Sequence, residues 1–202
     1  MRTLRGIFLT VSAVGVLAAC ASAGAGQQCR GLRQPDELQR LLRIADSAAT
    51  GIRLSADTMT RVPRRFLQGV VDRVIALDGC GMLRTSDALR EAATVALAAR
   101  TLGRPTVERA YEWARTAVIR DSADRRNWRV MALAWDQLQV VQQRPQWFAS
   151  VVICASPIIG RCSIAPLDSS RVSDALRLDL GLLTLRQRQM LVDSLNRVRS
   201  RP

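Results

Sequence analysis

Histidine is absent from all 202 residues, which removes most of the usual catalytic constellations. A serine nucleophile has no imidazole base to activate it, and the common zinc hydrolase sites lose their nitrogen ligands. Carboxylates remain, and two of them can work on one bond when they face each other across it. Asp124 and Asp136 fall twelve apart on one predicted helix. That puts them near the same face but about 18 Å apart by helical rise, too far to bracket one bond. Asp121, Asp168 and Asp174 could converge from elsewhere, though no spacing requires it. Asp121 and Asp124 read more simply as helix caps. No P-loop or Gly-rich dinucleotide motif is present. No catalytic residue is therefore assigned and no cofactor expected. A histidine-independent hydrolase using aspartates stands as the alternative to a non-catalytic role.

Binding has better material. Arg144, Gln146, Trp147 and Ser150 sit where a helix gives way to extended chain, with Arg126 and Arg129 as flanking cations. A tryptophan beside arginine can hold a glycan, an acidic peptide or anionic lipid. Trp147 and Phe148 could equally close a core beneath the last helices, and for Phe148 that is the expected role.

The thiols and the N-terminus belong together. Arg2 and Arg5 precede a run of apolar and small residues from Gly6 to Ala19, too short to span a bilayer comfortably but right for an export signal. The run ends Leu17-Ala18-Ala19-Cys20, which resembles the lipobox of bacterial lipoproteins. That resemblance implies cleavage before Cys20 and a thioether-linked lipid on it. The rival is ordinary signal cleavage within 21–26, which would leave a soluble secreted binding protein. The expected organisation is a signal peptide at 1–19, a lipidated cysteine and flexible tether at 20–34, one helical domain at 35–197 and a frayed tail at 198–202. Ala21 and Ser22 lack the aspartate associated with inner-membrane retention, so in a host with two membranes the implied address is the outer membrane, facing the periplasm. Export makes the remaining Cys29, Cys80, Cys154 and Cys162 an even set in an oxidising compartment. Cys154 and Cys162 bracket a loop with Pro157 and Gly160, which favours that local pair and leaves Cys29–Cys80. A metal site would have thiolates alone and no CxxC spacing, so none is expected.

The formal net charge is +13, and all 30 basic residues are arginine. Such a surface attracts polyanions. The arginines are scattered, and no zinc-finger or RNP-like motif accompanies them, so nucleic acid is not the expected partner. The partners expected are the membrane, through the lipid anchor, and an anionic envelope component or acidic envelope protein.

The elements that would position these groups are mostly helical. A first helix from Pro35 carries Leu38, Leu41, Leu42 and Ala45 on one face, and residues 52–62 read as a linker or short turn. Pro63 opens a second, with Phe66, Val70, Val71, Val74 and Leu77 inward. Thr85 or Ser86 caps a third, with Leu89, Ala92, Ala93, Ala96 and Leu97 inward and Gly103 as its left-handed stop. Residues 105–151 hold all four tryptophans and the one tyrosine. Val107, Ala110, Tyr111, Ala114 and Val118 form one helical stripe, and Trp128, Met131, Ala132, Trp135 and Leu138 another. Arg125, Arg126, Arg129, Asp136 and Gln139 are expected to face mostly away. The polar turn at 121–124 makes the two helices a hairpin. Residues 147–154 are aromatic and β-branched, and with 163–166 they suggest a disulfide-closed β-hairpin. Ser170 or Ser173 starts another helix, Gly181 stops it, and Thr184 with Gln187 forms a capping box before a last helix presenting Leu185, Met190, Leu191 and Leu195. The expected fold is an irregular antiparallel helical bundle with a small disulfide-closed β-hairpin or extended segment near residues 147–165.

Asp124, Arg125, Trp128, Leu133, Asp136, Pro145, Gln146, Phe148 and Ser150 follow the pattern of an uncharacterised bacterial helical domain family. Its signature is Gly-x-Pro-Gln-x-Phe/Tyr-Gly-Thr/Ser-Gln. Asp174, Arg177, Gly181, Leu182 and Leu185 resemble a later Asp-x-x-Arg with Gly-Leu and Leu. The resemblance covers roughly residues 84–197. Ala149 stands where the family has glycine and Val151 where it has glutamine. The family implies no activity. A weaker likeness to tetratricopeptide-type helix pairs rests on Ala110, Tyr111, Ala114 and Ala117, with no second unit at a fixed period.

Overall fold

The computed structural model describes residues 29, 37–44, 63–155 and 160–199. The chain divides into two compact units, Met1–Leu32 and Arg33–Pro202. In the first, Cys29 is helical and disulfide-bonded. Cys20 and the expected signal, together with Ala45 and the linker at 52–62, lie outside the described residues.

The second unit is mostly helical, with one two-stranded sheet. Residues 37–44 are helical, with Leu38 and Leu41 buried. Then come α1 (Arg64–Gly79), α2 (Ser86–Ala98), a 3₁₀ turn (Arg100–Leu102), α3 (Arg104–Arg120) and α4 (Arg125–Val141). A hairpin of β1 (Val152–Cys154) and β2 (Cys162–Ile164), a short α5 (Asp174–Asp179) and α6 (Leu185–Arg199) complete it.

Local chemistry accounts for the boundaries. Thr85 accepts a hydrogen bond from Ala88 N to cap α2, Asp124 accepts from Arg126 N to cap α4, and Ser173 accepts from Leu176 N to cap α5. Asp121 Oδ1 accepts from Ala123 N and Asp124 N, which makes the tight turn between α3 and α4. At the end of α1, Gly81 takes φ 63° and its N–H donates to Asp78 O, while Met82 N donates to Leu77 O. This paired closure needs a left-handed residue, and glycine supplies it without a Cβ clash. The capping box forms as expected: Gln187 N donates to Thr184 Oγ1 and Thr184 N donates to Gln187 Oε1.

The first core is alanine-rich. Ala92, Ala93 and Ala96 of α2 and Ala110, Ala114 and Ala117 of α3 are all 1% exposed or less, so the two backbones approach closely. Val74 and Leu77 of α1 are fully buried, each contributing about 1.5–3 kcal/mol. Trp113, not Tyr111, is the aromatic that α3 buries, and its Nε1 donates to Asp78 Oδ2 at 2.9 Å. On α1 the inner face uses Leu67, while Phe66 is 47% exposed. On α2, Val95 is buried and Leu97 is half-buried.

The largest departure from expectation is α4. Asp136 and Gln139, expected to face away, are buried. Helix α4 packs on α2 and α3 along one side. Ala132, Trp128 and Trp135 face a second cluster made with Phe148, Val172, Leu180 and Leu182. A helix covered on two sides has no solvent stripe wide enough for its polar residues, so some of them are enclosed.

Strands β1 and β2 are antiparallel, with Val152 opposite Ile164 and Cys154 opposite Cys162, and the Cys154–Cys162 disulfide closes the hairpin. Cys80 is also disulfide-bonded. Helix α5 begins at Asp174, later than Ser170 would give. Helix α6 continues through Arg199, past the expected start of the frayed tail, and packs on β2. Its buried residue is Val192, whereas Met190, Leu191 and Leu195, expected inward, are exposed.

Candidate functional site

Asp136 organises the region after α4. Its carboxylate is fully buried and accepts three backbone N–H groups of one loop. Trp147 N donates to Oδ1 at 2.8 Å, Phe148 N to Oδ1 and Oδ2 at 3.0 and 3.1 Å, and Ser150 N to Oδ2 at 2.9 Å. A buried carboxylate is tolerable because its oxygens are satisfied by donors held in place. The same loop is held from its carbonyl side. Arg177, 1% exposed, donates from Nη2 to Trp147 O at 2.9 Å and from Nε to Phe148 O at 3.4 Å. Its Nη1 donates to Asp174 Oδ1, which also accepts from Leu185 N at the start of α6. Two opposite charges thus grip the two faces of one stretch of backbone without meeting each other.

Gln146 completes the clamp. Its side chain is fully buried, with Oε1 accepting from Val151 N and Nε2 donating to Val151 O and Ala165 O. Its backbone forms an isolated parallel bridge to Leu167. The expected role of Gln146 as a polar group lining a pocket is corrected: it is an internal staple between the loop and the end of β2. Ala149, buried at the apex, takes φ 58°. That left-handed backbone favours glycine over a residue with a Cβ.

The clamp presents aromatic rings in a row. Trp147 lies 4.8 Å from Trp135 between centroids, and Trp135 lies 5.5 Å from Tyr111. The Arg171 guanidinium carbon lies 5.8 Å from the Trp147 ring centre, within cation–π range. Arg171 is steered by Asp168, whose carboxylate accepts from it at 3.0 Å. Hydrogen bonds from Ser170 and Arg171 hold the Asp168 carboxyl below the usual carboxylate range. All three rings are half-buried. Two buried donors in this region have no hydrogen-bond partner, Trp135 Nε1 and Arg188 Nε. Burial pulls the Arg188 guanidinium below the usual arginine range, and the nearby Asp136 charge opposes that shift.

The other sequence-derived residues divide. Trp147 and Ser150 belong to the clamped loop, and Phe148 is buried in the second cluster. Arg144 is exposed two residues after the α4 C-cap. Arg126 does not flank the loop. Arg126 is about 15 Å along α4 from Asp136 by helical rise, and it pairs with Asp124 and Asp87. Arg129 lies against Gly181, its Nη1 3.5 Å from where a Cβ would stand. Arg171 and Arg188 carry no local signature that marks them as site residues, and Arg177 stands in the Asp-x-x-Arg pattern with Asp174, which does not reveal its contact with the loop. Asp136 and Asp124 are both occupied structurally, Asp124 by its cap and by Arg90 and Arg126. Among the described residues no group of three or more Cys, Asp or Glu could hold a metal ion. Two apolar grooves lie elsewhere, one of about 450 Å³ between residues 37–44 and α1, the other of about 360 Å³ beside Leu102 and Pro105. Neither contains a residue of the clamp.

Comparison with protein-family models, with curated proteins and with solved structures returns no match.

Proposed function

We propose that this chain is an exported, lipid-anchored envelope protein that binds an anionic envelope glycan without transforming it. The observation that carries the binding reading is the row Tyr111–Trp135–Trp147 with Arg171 over its outer ring. A sugar ring offers an apolar C–H face for stacking on these rings. Its carboxylate or phosphate would meet Arg171 and Arg144. The net charge of +13 supports an anionic partner, and the Leu17-Ala18-Ala19-Cys20 run supports the envelope address. No helix among the described residues is long and apolar enough to cross a membrane. In a host with two membranes the proposed location is the outer membrane, facing the periplasm.

The family resemblance is part of the proposal. Asp136, Phe148, Ser150, Asp174, Arg177 and Leu185, which carry it, are members of one hydrogen-bonded network, and Gln146 staples the same loop separately. In this reading the family shares the clamped loop, and the ligand is set by what surrounds it.

Two experiments test the proposal. Mass spectrometry of the mature protein from its native host should find a diacylglyceryl group on an N-terminal Cys20. An unmodified chain beginning within 21–26 rejects the anchor. A photo-cross-linking side chain at position 144 should capture glycan in intact cells, and capture should fall when Trp147 is changed to alanine. Reproducible capture of one acidic envelope protein instead would replace glycan binding with a scaffold role. Turnover of a captured glycan by purified protein, lost on changing one aspartate, would replace it with an enzyme.

A further inference from the structure

Helix α6 has two apolar aspects, and the fold uses one. Val192 is 2% exposed, and Asn196 bonds both backbone groups of Cys162: Cys162 N donates to Asn196 Oδ1 at 2.7 Å, and Asn196 Nδ2 donates to Cys162 O at 2.9 Å. These residues form the seam against β2. At about 100° per residue, Met190, Leu191, Leu195 and Val198 occupy an arc of roughly 140° centred about 150° from that seam. They are 60%, 41%, 39% and 65% exposed. Isolated exposed apolar side chains are ordinary, but four on one arc of a helix, with only Gln187 and Ser194 between them, are not. Of the twelve large apolar side chains exposed among the described residues, eight fall between Ile153 and Val198.

The stripe has a cationic margin. The same wheel places Arg186 and Arg197, both exposed, along one edge. Helix α6 carries four arginines and one acid, Asp193. Asp193 lies beyond the Arg186–Arg197 edge and accepts a hydrogen bond from Gln189. An apolar face bordered by cations is the pattern of a helix that lies in the plane of a membrane interface. A second copy of the chain would bring two arginine borders together around the same stripe, whereas anionic lipid headgroups complement them.

We propose that α6 docks flat on an anionic bilayer surface, with Met190, Leu191, Leu195 and Val198 entering the headgroup–acyl boundary and Arg186 and Arg197 pairing with lipid phosphate. The proposal goes beyond glycan binding and does not depend on acylation of Cys20. In an anchored molecule it would add a second contact and hold the domain against the lipid.

The test is vesicle co-sedimentation of the full-length chain carrying Cys20→Ser, so that no lipid can be attached. Binding is measured in about 0.15 M salt, where exposed charges are screened beyond about 8 Å. The chain should bind phosphatidylglycerol-rich vesicles and bind pure phosphatidylcholine much more weakly. Met190→Glu with Val198→Glu, at the two most exposed positions, should lower affinity by about tenfold or more. Circular dichroism and the melting temperature should stay unchanged. Arg186→Gln with Arg197→Gln, which leaves the stripe intact, should lower affinity by about tenfold or more and flatten its salt dependence. Three results would overturn the proposal. One is equal binding by the parent and both variants, which would assign binding to the N-terminal apolar run that all of them share. Another is equal binding to both vesicle types. The third is a concentration-dependent dimer in sedimentation velocity that the Met190→Glu, Val198→Glu variant abolishes, which would assign the stripe to a second copy.

Discussion

Asp136 and Arg177 do related work on opposite sides of one loop. Replacing Asp136 with alanine leaves three backbone N–H groups, that of Phe148 buried, without their acceptor, a loss of about 3–5 kcal/mol. Urea denaturation of the variant should show it, together with a changed environment for Trp147. Wild-type stability in Asp136→Ala would mean that the loop does not depend on this carboxylate. Gln143 offers the opposite sign. It sits just past α4 at φ 59°, with its N–H donating to Val140 O and Arg144 N donating to Gln139 O. This is the closure that Gly81 makes after α1, but here a side chain carries the left-handed strain. Gln143→Gly should therefore raise stability by about 0.5–1 kcal/mol, because the residue is exposed and loses no packing. Asp136 shows the limit of reading residues from sequence. A carboxylate among arginines on a helix looks solvated, and no periodicity distinguishes that from one held by a loop eleven residues later. Gln146 was read as a site residue for a related reason. A polar group at a helix-to-strand transition suggests a ligand, yet its partners are backbone atoms at Val151 and Ala165.

Elements were most legible where their causes are local. Thr85, Asp124, Ser173 and the Thr184–Gln187 box all close their helices as the residue types predict, and the cysteine spacing gave the hairpin. Asp124 makes a cap with a definite pH dependence. Hydrogen bonds from the Arg126 side chain and backbone hold its carboxyl below the ordinary value of 3.8. The folded state therefore favours the ionised form. Its stabilisation is complete above about pH 3.8 and is lost as pH falls from there through the lower folded value. Asp124→Ala should melt at lower temperature than the parent at pH 7, and the gap should narrow in acid below pH 3.8. A gap that stays constant would contradict the assignment. Faces proved harder than boundaries. Helix α4 is covered on two sides, so its stripe of Trp128, Met131, Ala132, Trp135 and Leu138 describes neither side fully. Helix α6 misled in the opposite way. Its most apolar stripe is outside, and its seam is one valine and one asparagine bonded to a strand edge.

At the scale of the molecule, an alanine-rich helical core carries a second cluster, and the clamped loop lies against that cluster. The arginines are scattered along the sequence, and many are spent on surface pairs such as Arg104–Glu108 and Arg109–Glu112. Arg177, Arg171 and Arg188 differ from these: the first is held by loop carbonyls, the second lies over the Trp147 ring, and the third is partly enclosed near the Asp136 charge. Folding brings these three together from separate elements, which spacing along the chain does not reveal.

The central claim is that this face recognises an anionic sugar. Isothermal titration calorimetry with the disaccharide of N-acetylglucosamine and N-acetylmuramic acid tests it directly, with neutral chitobiose as the control. In about 0.15 M salt, where non-specific attraction is screened beyond about 8 Å, the acidic disaccharide should bind saturably and more tightly than the neutral one. Trp147→Ala and Arg171→Gln should each weaken it by about tenfold or more while leaving the thermal melt of the rest of the domain in place. No saturable binding, or binding that neither substitution alters, would contradict the account.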